Sequence, residues 1–207
     1  MSSEKTPASR LILILGGARS GKSAFAERLA ANSRRTVAFI ATATADDDEM
    51  RERIARHRAS RSREWHTLEE PLDLAGAVLQ AYKLADVVLL DCITLWLGNM
   101  LMQESGQVES ADKGKEATSY LFDERALKQI EALLAVIQSA EPNKTLIVVT
   151  NEVGLGIVPA YALGRVYRDT LGYVNQLLAQ VADRVYLMLA GMAVDIKRLQ
   201  IDTDLSV

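Results

Sequence analysis

Residues 11–31 read LILILGGARSGKSAFAERLAA, and the prediction of the fold starts from this stretch. Five apolar residues typical of a buried strand lead into GGARSGKS at residues 16–23, and a helical pattern follows. This is the phosphate-loop pattern G-x-x-x-x-G-K-S in the strand–turn–helix context that it requires. A glycine turn formed by chance is the alternative, but four fixed positions with the correct flanks argue against it. The stretch therefore predicts a site for nucleotide phosphates.

The residues of this loop have distinct predicted roles. Gly16 and Gly21 allow a tight backbone path, so that successive N–H groups can face one anion. The helix that begins near Lys22 adds unpaired N–H groups and the positive end of its dipole. We expect Lys22 to reach the β- and γ-phosphates and Ser23 to bind Mg²⁺ through its hydroxyl. The predicted contacts of the nucleotide are Gly16, Gly17, Ala18, Arg19, Ser20, Gly21, Lys22 and Ser23.

The composition limits the class of protein. The chain has 207 residues, 49% of them apolar and 25% charged, which is ordinary for a globular domain with a proper core. A net charge of −3 argues against a general nucleic-acid binder, and the single cysteine, Cys92, cannot form an internal disulfide. No apolar run approaches the roughly 18 residues of a membrane span, and the polar start lacks a secretion signal. We expect a cytoplasmic protein with a disordered tail at residues 1–10 and one catalytic domain at residues 11–207.

Strand and helix patterns alternate along the chain. Further apolar runs of strand type occupy residues 36–41, 86–91, 145–150 and 184–190, with a short final strand at 193–197. Helical patterns occupy residues 46–61, 71–84, 122–140 and 162–182, whereas residues 65–71 are expected to be a connector and the polar residues 103–119 an exposed excursion. Because the strands have the pattern of burial on both faces, we predict an α/β fold with a mostly parallel sheet and helices on both faces.

A carboxylate ends the strand pattern DVVLLD at residues 86–91. An aspartate at the carboxyl end of a strand can hold Mg²⁺ directly or through water, opposite a phosphate loop. Such a carboxylate can instead cap a turn. Because Ser23 is already predicted at the metal, we favour Asp91 as a second residue of the metal site.

The predicted helix at residues 46–61 carries a histidine among arginines. Acidic and basic residues four apart explain its first half as a solvated charged face. Arginines without a local acidic partner follow at positions 56, 58, 61 and 63, and guanidinium groups match phosphate oxygens. The positive surroundings favour a neutral imidazole at His57, which could attack phosphorus. A histidine that shares a face with Met50 and Ile54 is more often a packing residue, so on the residues alone both roles stay open.

Residues 151–159, NEVGLGIVP, directly follow a predicted strand. In open parallel sheets, ligands lie beyond the carboxyl ends of the strands, so this loop should face the same crevice. Gly154 and Gly156 indicate a close backbone approach, and Glu152 is a candidate acid, base or hydrogen-bond acceptor. A flexible turn before a helix is the alternative. An acid followed by an apolar loop with glycines is unusual for plain solvent exposure, which favours a functional role.

Four segments, in this order, resemble one enzyme family: GGARSGKS (16–23), DDEMRERIARHR (47–58), VVLLDCIT (87–94) and TNEVGLGIVP (150–159). The family is the bifunctional adenosylcobinamide kinase/adenosylcobinamide-phosphate guanylyltransferase of cobalamin biosynthesis, and the resemblance covers residues 11–197. It implies a RecA-like P-loop fold, a homo-oligomer that is typically a trimer, ATP and GTP as nucleotide substrates, and a corrinoid as the other substrate.

The resemblance also implies two reactions in one crevice. In the first, the hydroxyl of the aminopropanol arm of adenosylcobinamide takes the γ-phosphoryl group of ATP or GTP. In the second, a histidine attacks the α-phosphorus of GTP, releases pyrophosphate and passes the guanylyl group to adenosylcobinamide phosphate. His57 occupies the matching position, and His57 and Lys22 are then the catalytic residues.

Further site residues follow from the same resemblance. The implied nucleotide contacts outside the phosphate loop are Thr42, Ala43, Thr44, Arg58, Ala59, Ser60, Arg61 and Glu69. Asp91 matches an acid that is glutamate in some members, which leaves open whether it holds the metal or contacts the nucleotide. Some relatives carry two histidines in tandem where this chain has Arg56 and His57. In the present sequence, His57 is the one imidazole available on this helix.

Two other functions fit a phosphate loop. A small-molecule kinase without guanylyl transfer is the nearer enzyme alternative. A regulatory NTPase is the alternative from another class, but small GTPases carry N-K-x-D and D-x-x-G. The strand ends here read DCIT from Asp91 and NEVG from Asn151, so neither pattern is present.

Overall fold

The computed structural model describes residues 10–44, 48–60, 62–108 and 115–199. Within these ranges, one sheet contains the strands β1 (Arg10–Gly16), β2 (Val37–Ala41), β3 (His66–Glu69), β4 (Val87–Asp91), β5 (Thr145–Val149), β6 (Arg184–Leu189) and β7 (Met192–Asp195). The helices are α1 (Lys22–Asn32), α2 (Asp48–Ser60), α3 (Leu74–Leu84), α4 (Ile93–Val108), α5 (Lys115–Ser139) and α6 (Ala162–Val181), and short 3₁₀ helices occupy Val153–Leu155 and Ile196–Arg198.

The strand order across the sheet is β3-β2-β4-β5-β1-β6-β7. Neighbouring strands run parallel except β6 and β7, which form an antiparallel hairpin. Because β1 lies between β5 and β6, the phosphate loop that follows it lies at an interior strand of the carboxyl edge and not at an edge strand of the sheet. The predicted mostly parallel sheet is confirmed.

Helices cover both faces of this sheet, as predicted. Successive strand residues point to opposite faces, so that Ile14 packs with Ala26 and Ala30 of α1 on one side. Leu13 and Leu90 pack on the other side, in the larger core that is covered by α3, α4, α5 and α6. Burying each such leucine or isoleucine stabilises the fold by about 1.5–3 kcal/mol. Burial on both faces explains why the central strands are continuous apolar runs.

The structure corrects two expectations. Residues 65–71 are not only a connector, because β3 pairs there with β2. It is an edge strand whose side chains are mostly exposed, so the apolar run that marks the inner strands is missing. The expected excursion at 103–119 is wrong at both ends, because α4 continues to Val108 and α5 begins at Lys115. The glutamine, glutamate, lysine and alanine residues of this stretch are good helix formers. Residues 109–114 lie outside the described residues.

Two boundaries also differ. Arg10, expected in a disordered tail, belongs to β1 and pairs with Thr145, while residues 1–9 lie outside the described residues. Helix α3 begins at Leu74 rather than at Pro71, because the Asp73 carboxylate caps it by accepting a hydrogen bond from the Gly76 N–H at 2.9 Å. Within the described ranges, none of the helices combines the length and the apolar character that crossing a bilayer requires.

Candidate active site

The phosphate loop and two predicted site residues, Glu69 and Asp91, lie along the carboxyl edge of the sheet. In the strand register, Asp91 at the end of β4 lies beside Ala41 of β2, and Ala41 lies beside Glu69 of β3. On its other side Asp91 lies beside Val149, which in turn lies beside Ile14, two residues before the phosphate loop. The phosphate loop and both acids therefore share one edge of the sheet, as in other open parallel sheets.

Two glycines define the path of the phosphate loop. Gly16 has a φ of +154° and Gly21 a φ of +94°, backbone conformations that L side chains rarely adopt. A Cβ at Gly16 would lie 2.7 Å from the Met188 carbonyl oxygen and 2.8 Å from the Ser20 hydroxyl oxygen. Gly21 is the N-cap of α1 and offers no side-chain oxygen to the first N–H groups of the helix, an arrangement suited to a bound anion.

Lys22 lies inside this loop. Its Nζ donates a hydrogen bond to the Gly17 carbonyl oxygen at 2.6 Å, and only 8% of the residue is exposed. Gly17, Ala18 and Arg19 are exposed, and Ser23 follows as the second residue of α1. A held ammonium group beside exposed main chain at a helix start is the arrangement that stabilises the charge of a transferring phosphoryl group.

Two other parts of the chain fasten the phosphate loop. The Gly191 N–H, in the turn between β6 and β7, donates to the Ser20 carbonyl oxygen at 3.0 Å. The Glu152 N–H, directly after β5, donates to the Gly16 carbonyl oxygen at 3.1 Å. The loop is thus held from both flanking strands, and nothing in the local sequence pattern singles out Gly191.

Thr42 uses its hydroxyl to hold the turn after β4. The hydroxyl donates to the Cys92 carbonyl oxygen at 2.7 Å and accepts from the Cys92 N–H at 2.8 Å, and the residue is fully buried. Ala43 and Thr44, also implied as nucleotide contacts, follow it and are partly buried. The Thr42 side chain therefore fixes the main chain next to Asp91, whereas its neighbours lie nearer to solvent.

Cys92 is not a nucleophile in this crevice. Burial, and after it the negative charge of Asp91, raise the pKa of the Cys92 thiol from 9.0 to about 12. The thiolate is the reactive form of cysteine. At neutral pH the thiol therefore stays protonated, which disfavours Cys92 as a nucleophile.

Helix α2 carries His57, in agreement with the predicted helix. Among the α2 side chains that the structure describes, Ile54 alone is partly buried and the others are exposed. Arg58 forms an ion pair with Glu69 at the end of β3, and the two side chains are 54% and 55% exposed. The structure thus joins two residues that the resemblance places at the nucleotide, and it fastens the C-terminal part of α2 to the edge of the sheet.

The other positions of the arginine-rich segment are described less fully. Ala59 and Arg63 are exposed, and Ser60 is the last residue of α2. Arg61 lies outside the described residues. Phosphate binding by this segment stays a prediction.

A buried polar network fastens the start of the loop at 151–159. The Asn151 N–H donates to the Thr94 hydroxyl oxygen at 2.8 Å, and Asn175 Nδ2 donates to the Asn151 carbonyl oxygen at 3.0 Å. The Thr150 hydroxyl donates to Asn175 Oδ1 at 2.9 Å, and both of these residues are buried. Burial raises the pKa of Tyr167, whose protonated hydroxyl donates to the Thr94 carbonyl oxygen at 2.7 Å. Buried amides are costly unless they are paired, so this network holds the loop start in one position.

The rest of the same loop is open to solvent. Glu152 Oε1 accepts a hydrogen bond from the Gly154 N–H at 3.1 Å, so this carboxylate turns back onto its own loop. Leu155 and Ile157 are 77% and 97% exposed, and Tyr161 beyond them is 70% exposed. These apolar side chains lie on the segment that begins beside the phosphate loop.

The donor set at this edge fits Mg²⁺ carried by a nucleotide. The Ser23 hydroxyl and the Asp91 carboxylate are hard oxygen ligands, and Mg²⁺ is usually bound by one or two carboxylates together with substrate phosphates. Among the described residues there is no cluster of three or more histidine, cysteine, aspartate or glutamate side chains that could hold a metal ion by itself. The residues therefore fit a metal that arrives with phosphate oxygens rather than a preformed cage.

The chain resembles known enzymes along nearly its whole length. A family model described as cobinamide kinase / cobinamide phosphate guanyltransferase matches residues 12–196. The bifunctional adenosylcobalamin biosynthesis protein CobP of Pseudomonas aeruginosa is 43% identical over 185 residues, covering 89% of this chain and 96% of that protein. The bifunctional adenosylcobalamin biosynthesis protein CobU of Escherichia coli is 42% identical over 188 residues, covering 90% of this chain and 99% of that protein.

A solved structure supports the fold. A prototypical ATPase from the type III secretion system of pathogenic bacteria superposes with a TM-score of 0.52 at 10% identity, covering 95% of this chain and 61% of that chain. At that identity the likeness concerns the fold alone. Together with the strand order and the phosphate loop, it confirms the predicted RecA-like P-loop fold.

Proposed function

Because the chain belongs to the cobinamide kinase / cobinamide phosphate guanyltransferase family, we propose that it phosphorylates adenosylcobinamide with ATP or GTP and then transfers GMP from GTP to the product. The final product is adenosylcobinamide-GDP. The observation that carries the proposal is that one match, over residues 12–196, includes both the phosphate loop and the helix of His57.

The kinase step uses the phosphate loop. The hydroxyl oxygen of the aminopropanol arm attacks the γ-phosphorus, the bond from the γ-phosphorus to the bridging oxygen breaks, and ADP or GDP leaves. The hydroxyl proton passes to solvent. The main-chain N–H groups of residues 17–23 and the Lys22 ammonium stabilise the negative charge on the transferring group and on the departing diphosphate. The held position of Lys22 Nζ, 2.6 Å from the Gly17 carbonyl oxygen, supports this role.

The transfer step needs a covalent intermediate on His57. An imidazole nitrogen attacks the α-phosphorus of GTP, the bond to the oxygen of the β-phosphate breaks, and pyrophosphate leaves. A phosphate oxygen of adenosylcobinamide phosphate then attacks the same phosphorus, and the phosphorus–nitrogen bond breaks to release the histidine. Splitting the transfer in this way replaces one difficult displacement by two easier ones.

The two steps make a geometric demand on α2. His57 must reach the α-phosphorus while the β- and γ-phosphates occupy the phosphate loop. A helix whose described side chains are mostly exposed, and whose C-terminal part is held by the exposed ion pair of Arg58 and Glu69, can change its position at low cost, since exposed pairs contribute about 0–1 kcal/mol. We therefore propose that α2 closes on the bound nucleotide before the covalent step.

Ser23 and Asp91 are the residues that would hold Mg²⁺ with the nucleotide phosphates, and the metal would supply neutralisation of the polyphosphate charge. Asp91 is partly buried at the end of β4, and its backbone is fixed because its carbonyl oxygen accepts from the Thr42 N–H at 3.3 Å. The main chain that carries this carboxylate is thus held before a substrate binds.

Covalent labelling tests the proposal. The full-length protein is incubated with GTP that is labelled at the α-phosphate, and adduct formation is followed by intact mass and by label that is acid-labile and alkali-stable. We expect one GMP per chain. His57→Ala should abolish the adduct while phosphorylation of adenosylcobinamide survives, and His66→Ala is the matched control that should keep both activities.

Each of the other outcomes would indicate a different nucleophile or a different function. An adduct that persists in His57→Ala would assign the nucleophile to another residue. Phosphorylation without any adduct in the unchanged protein would indicate a small-molecule kinase without guanylyl transfer. GTP hydrolysis with neither product would indicate the regulatory NTPase.

We further propose that the protein forms a homotrimer. The exposed apolar side chains of Leu155, Ile157 and Tyr161 are consistent with a surface that another copy or the corrinoid covers. Light scattering on the purified protein measures the mass, and a value near 22.7 kDa, that of one chain, would contradict a trimer.

A further inference from the structure

Asn99 in α4 makes three hydrogen bonds with one side chain. Its Nδ2 donates to the Thr42 carbonyl oxygen at 2.8 Å and to the Pro71 carbonyl oxygen at 3.1 Å. Its Oδ1 accepts from the Thr44 hydroxyl at 3.3 Å. Both N–H groups and the oxygen are therefore engaged, on a residue that is partly buried beside the fully buried Met100.

The three partners belong to connections that leave the same edge of the sheet. Thr42 and Thr44 lie between β2 and α2, and Pro71 lies between β3 and α3. Asn99 itself stands in α4, which starts two residues after the end of β4. The Asn99 amide thus links the connection after β2 and the connection after β3 to α4, the helix that follows β4. These connections lie at the end of the sheet where the nucleotide is proposed to bind.

Other hydrogen bonds hold the connection after β3 and the end of β4 without Asn99. The Trp96 indole N–H donates to the Leu72 carbonyl oxygen at 2.8 Å and so holds the turn after β3. The Thr42 hydroxyl pairs twice with the Cys92 main chain and so holds the end of β4. Removal of the Asn99 amide should therefore act on the segment that follows Thr42 and leads into α2.

We propose that Asn99 is a positioning residue for guanylyl transfer, because it holds the root of the helix that carries His57; this inference rests on the proposed function. Helix α2 has one partly buried side chain among those described and is fastened near its other end by Arg58 and Glu69. Because its described side chains are mostly exposed, we expect the two ends of α2 to direct its approach to the nucleotide. The hydrogen bonds of Asn99 hold Thr42 and Thr44, which precede the first end.

The test compares the two activities of the full-length protein in Asn99→Ala and in a control, Asn143→Ala. Asn143 is an exposed asparagine whose Nδ2 donates to Asp86 Oδ1 at 3.2 Å at the opposite edge of the sheet. We expect Asn99→Ala to slow formation of the GMP adduct from GTP by about ten- to a hundredfold, the effect of a misplaced reacting group. Phosphorylation of adenosylcobinamide should change by less than about threefold, and Asn143→Ala should leave both rates within about twofold.

Hydrogen exchange gives a second readout that does not depend on activity. In Asn99→Ala, peptides that cover residues 42–60 should exchange faster, while peptides from α1 should exchange as before. Asn99→Asp keeps the acceptor but loses both donors, so we expect it to reproduce the exchange pattern of Asn99→Ala.

A proportional fall of both activities in Asn99→Ala would overturn the inference, because it would indicate a general structural role. Unchanged exchange over residues 42–60 would overturn it as well. If the unchanged protein forms no GMP adduct, the proposed role of His57 fails, and the link to transfer fails with it. Faster exchange confined to residues 42–60 would still support the hold of Asn99 on α2.

Discussion

The phosphate loop and helix α2 lie at the same edge of the sheet but are built in opposite ways. The loop is anchored at both ends, since a Cβ at Gly16 would lie 2.7 Å from the Met188 carbonyl oxygen and Lys22 is 8% exposed, while residues 17–19 between them are exposed. Helix α2 has Ile54 as the one partly buried side chain among those described, and its ion pair between Arg58 and Glu69 is half exposed. The loop is held by close packing and main-chain hydrogen bonds, whereas among the described side chains of α2 an exposed ion pair forms the link to the edge of the sheet.

We propose that this difference corresponds to two chemical tasks. A phosphate grip is most effective when its donors are preorganised, because no reorganisation is then needed as charge develops. A nucleophile that must reach the α-phosphorus after the polyphosphate is seated needs room to move. The comparison therefore separates changes that damage both reactions from changes that damage only the transfer.

The largest effect is expected at the rigid part of the site. Lys22→Ala removes the ammonium that we propose stabilises the transferring and departing phosphates in both reactions, so both values of kcat/KM should fall by about 10²–10³-fold. Steady-state kinetics for phosphorylation and for adduct formation measure this. Lys83→Ala, which alters an exposed lysine in α3, is the control and should have no effect. A loss in one reaction alone would show that the two reactions use separate phosphate sites.

A smaller effect, confined to the transfer, is expected at the polar contacts of α2. Glu69→Gln removes the ion pair with Arg58, and because exposed pairs contribute about 0–1 kcal/mol, adduct formation should slow by less than about fivefold while phosphorylation is unchanged. High salt should reproduce the effect in the unchanged protein, since it screens exposed charges.

A double-mutant cycle distinguishes two roles for Glu69, an ion pair with Arg58 and a direct contact with the nucleotide. If it acts through the ion pair, Arg58→Gln should cost nothing further once Glu69→Gln is present. Additive losses, together with a higher KM for GTP, would instead place Glu69 on the nucleotide.

The smallest effect is expected at Cys92, which lies between the two parts of the site. Because burial and Asp91 raise its pKa to about 12, the thiol keeps its proton across pH 6 to 9 and neither activity should depend on it. Iodoacetamide at pH 8 should leave the folded protein unlabelled and fully active, while the urea-unfolded protein should react fully. Inactivation in proportion to labelling of the folded protein would contradict this prediction.

The parts of the molecule that could be predicted from the sequence are those whose determinants are local. The phosphate loop requires particular glycines and a lysine at fixed spacing, and the inner strands are apolar because both faces are covered, so each leaves a pattern in a short window. The family was also predicted correctly, from motifs that occur in a fixed order, and the match over residues 12–196 confirms it.

The parts that were missed depend on contacts between distant residues. Asn99 acts through Thr42 and Pro71, which are 57 and 28 residues away, and Asn175 holds Asn151 from 24 residues away. The one local signal for Asn99 is an amide inside the otherwise apolar run ITLWLGNMLM, a polar group that needs partners. Strand β3 left no signal, because an exposed edge strand needs no apolar pattern.

The hydrogen bond from the Gly191 N–H to the Ser20 carbonyl oxygen has a consequence for synthesis of the chain. The phosphate loop directly follows β1, yet the residues that close on it, Met188 and Gly191, are made about 170 residues later. Strand β1 likewise pairs on its two sides with β5 and β6, which are both synthesised later. A nascent chain therefore has the residues of the loop long before it has a nucleotide site, and tight binding of GTP would report that the last strands have joined the sheet.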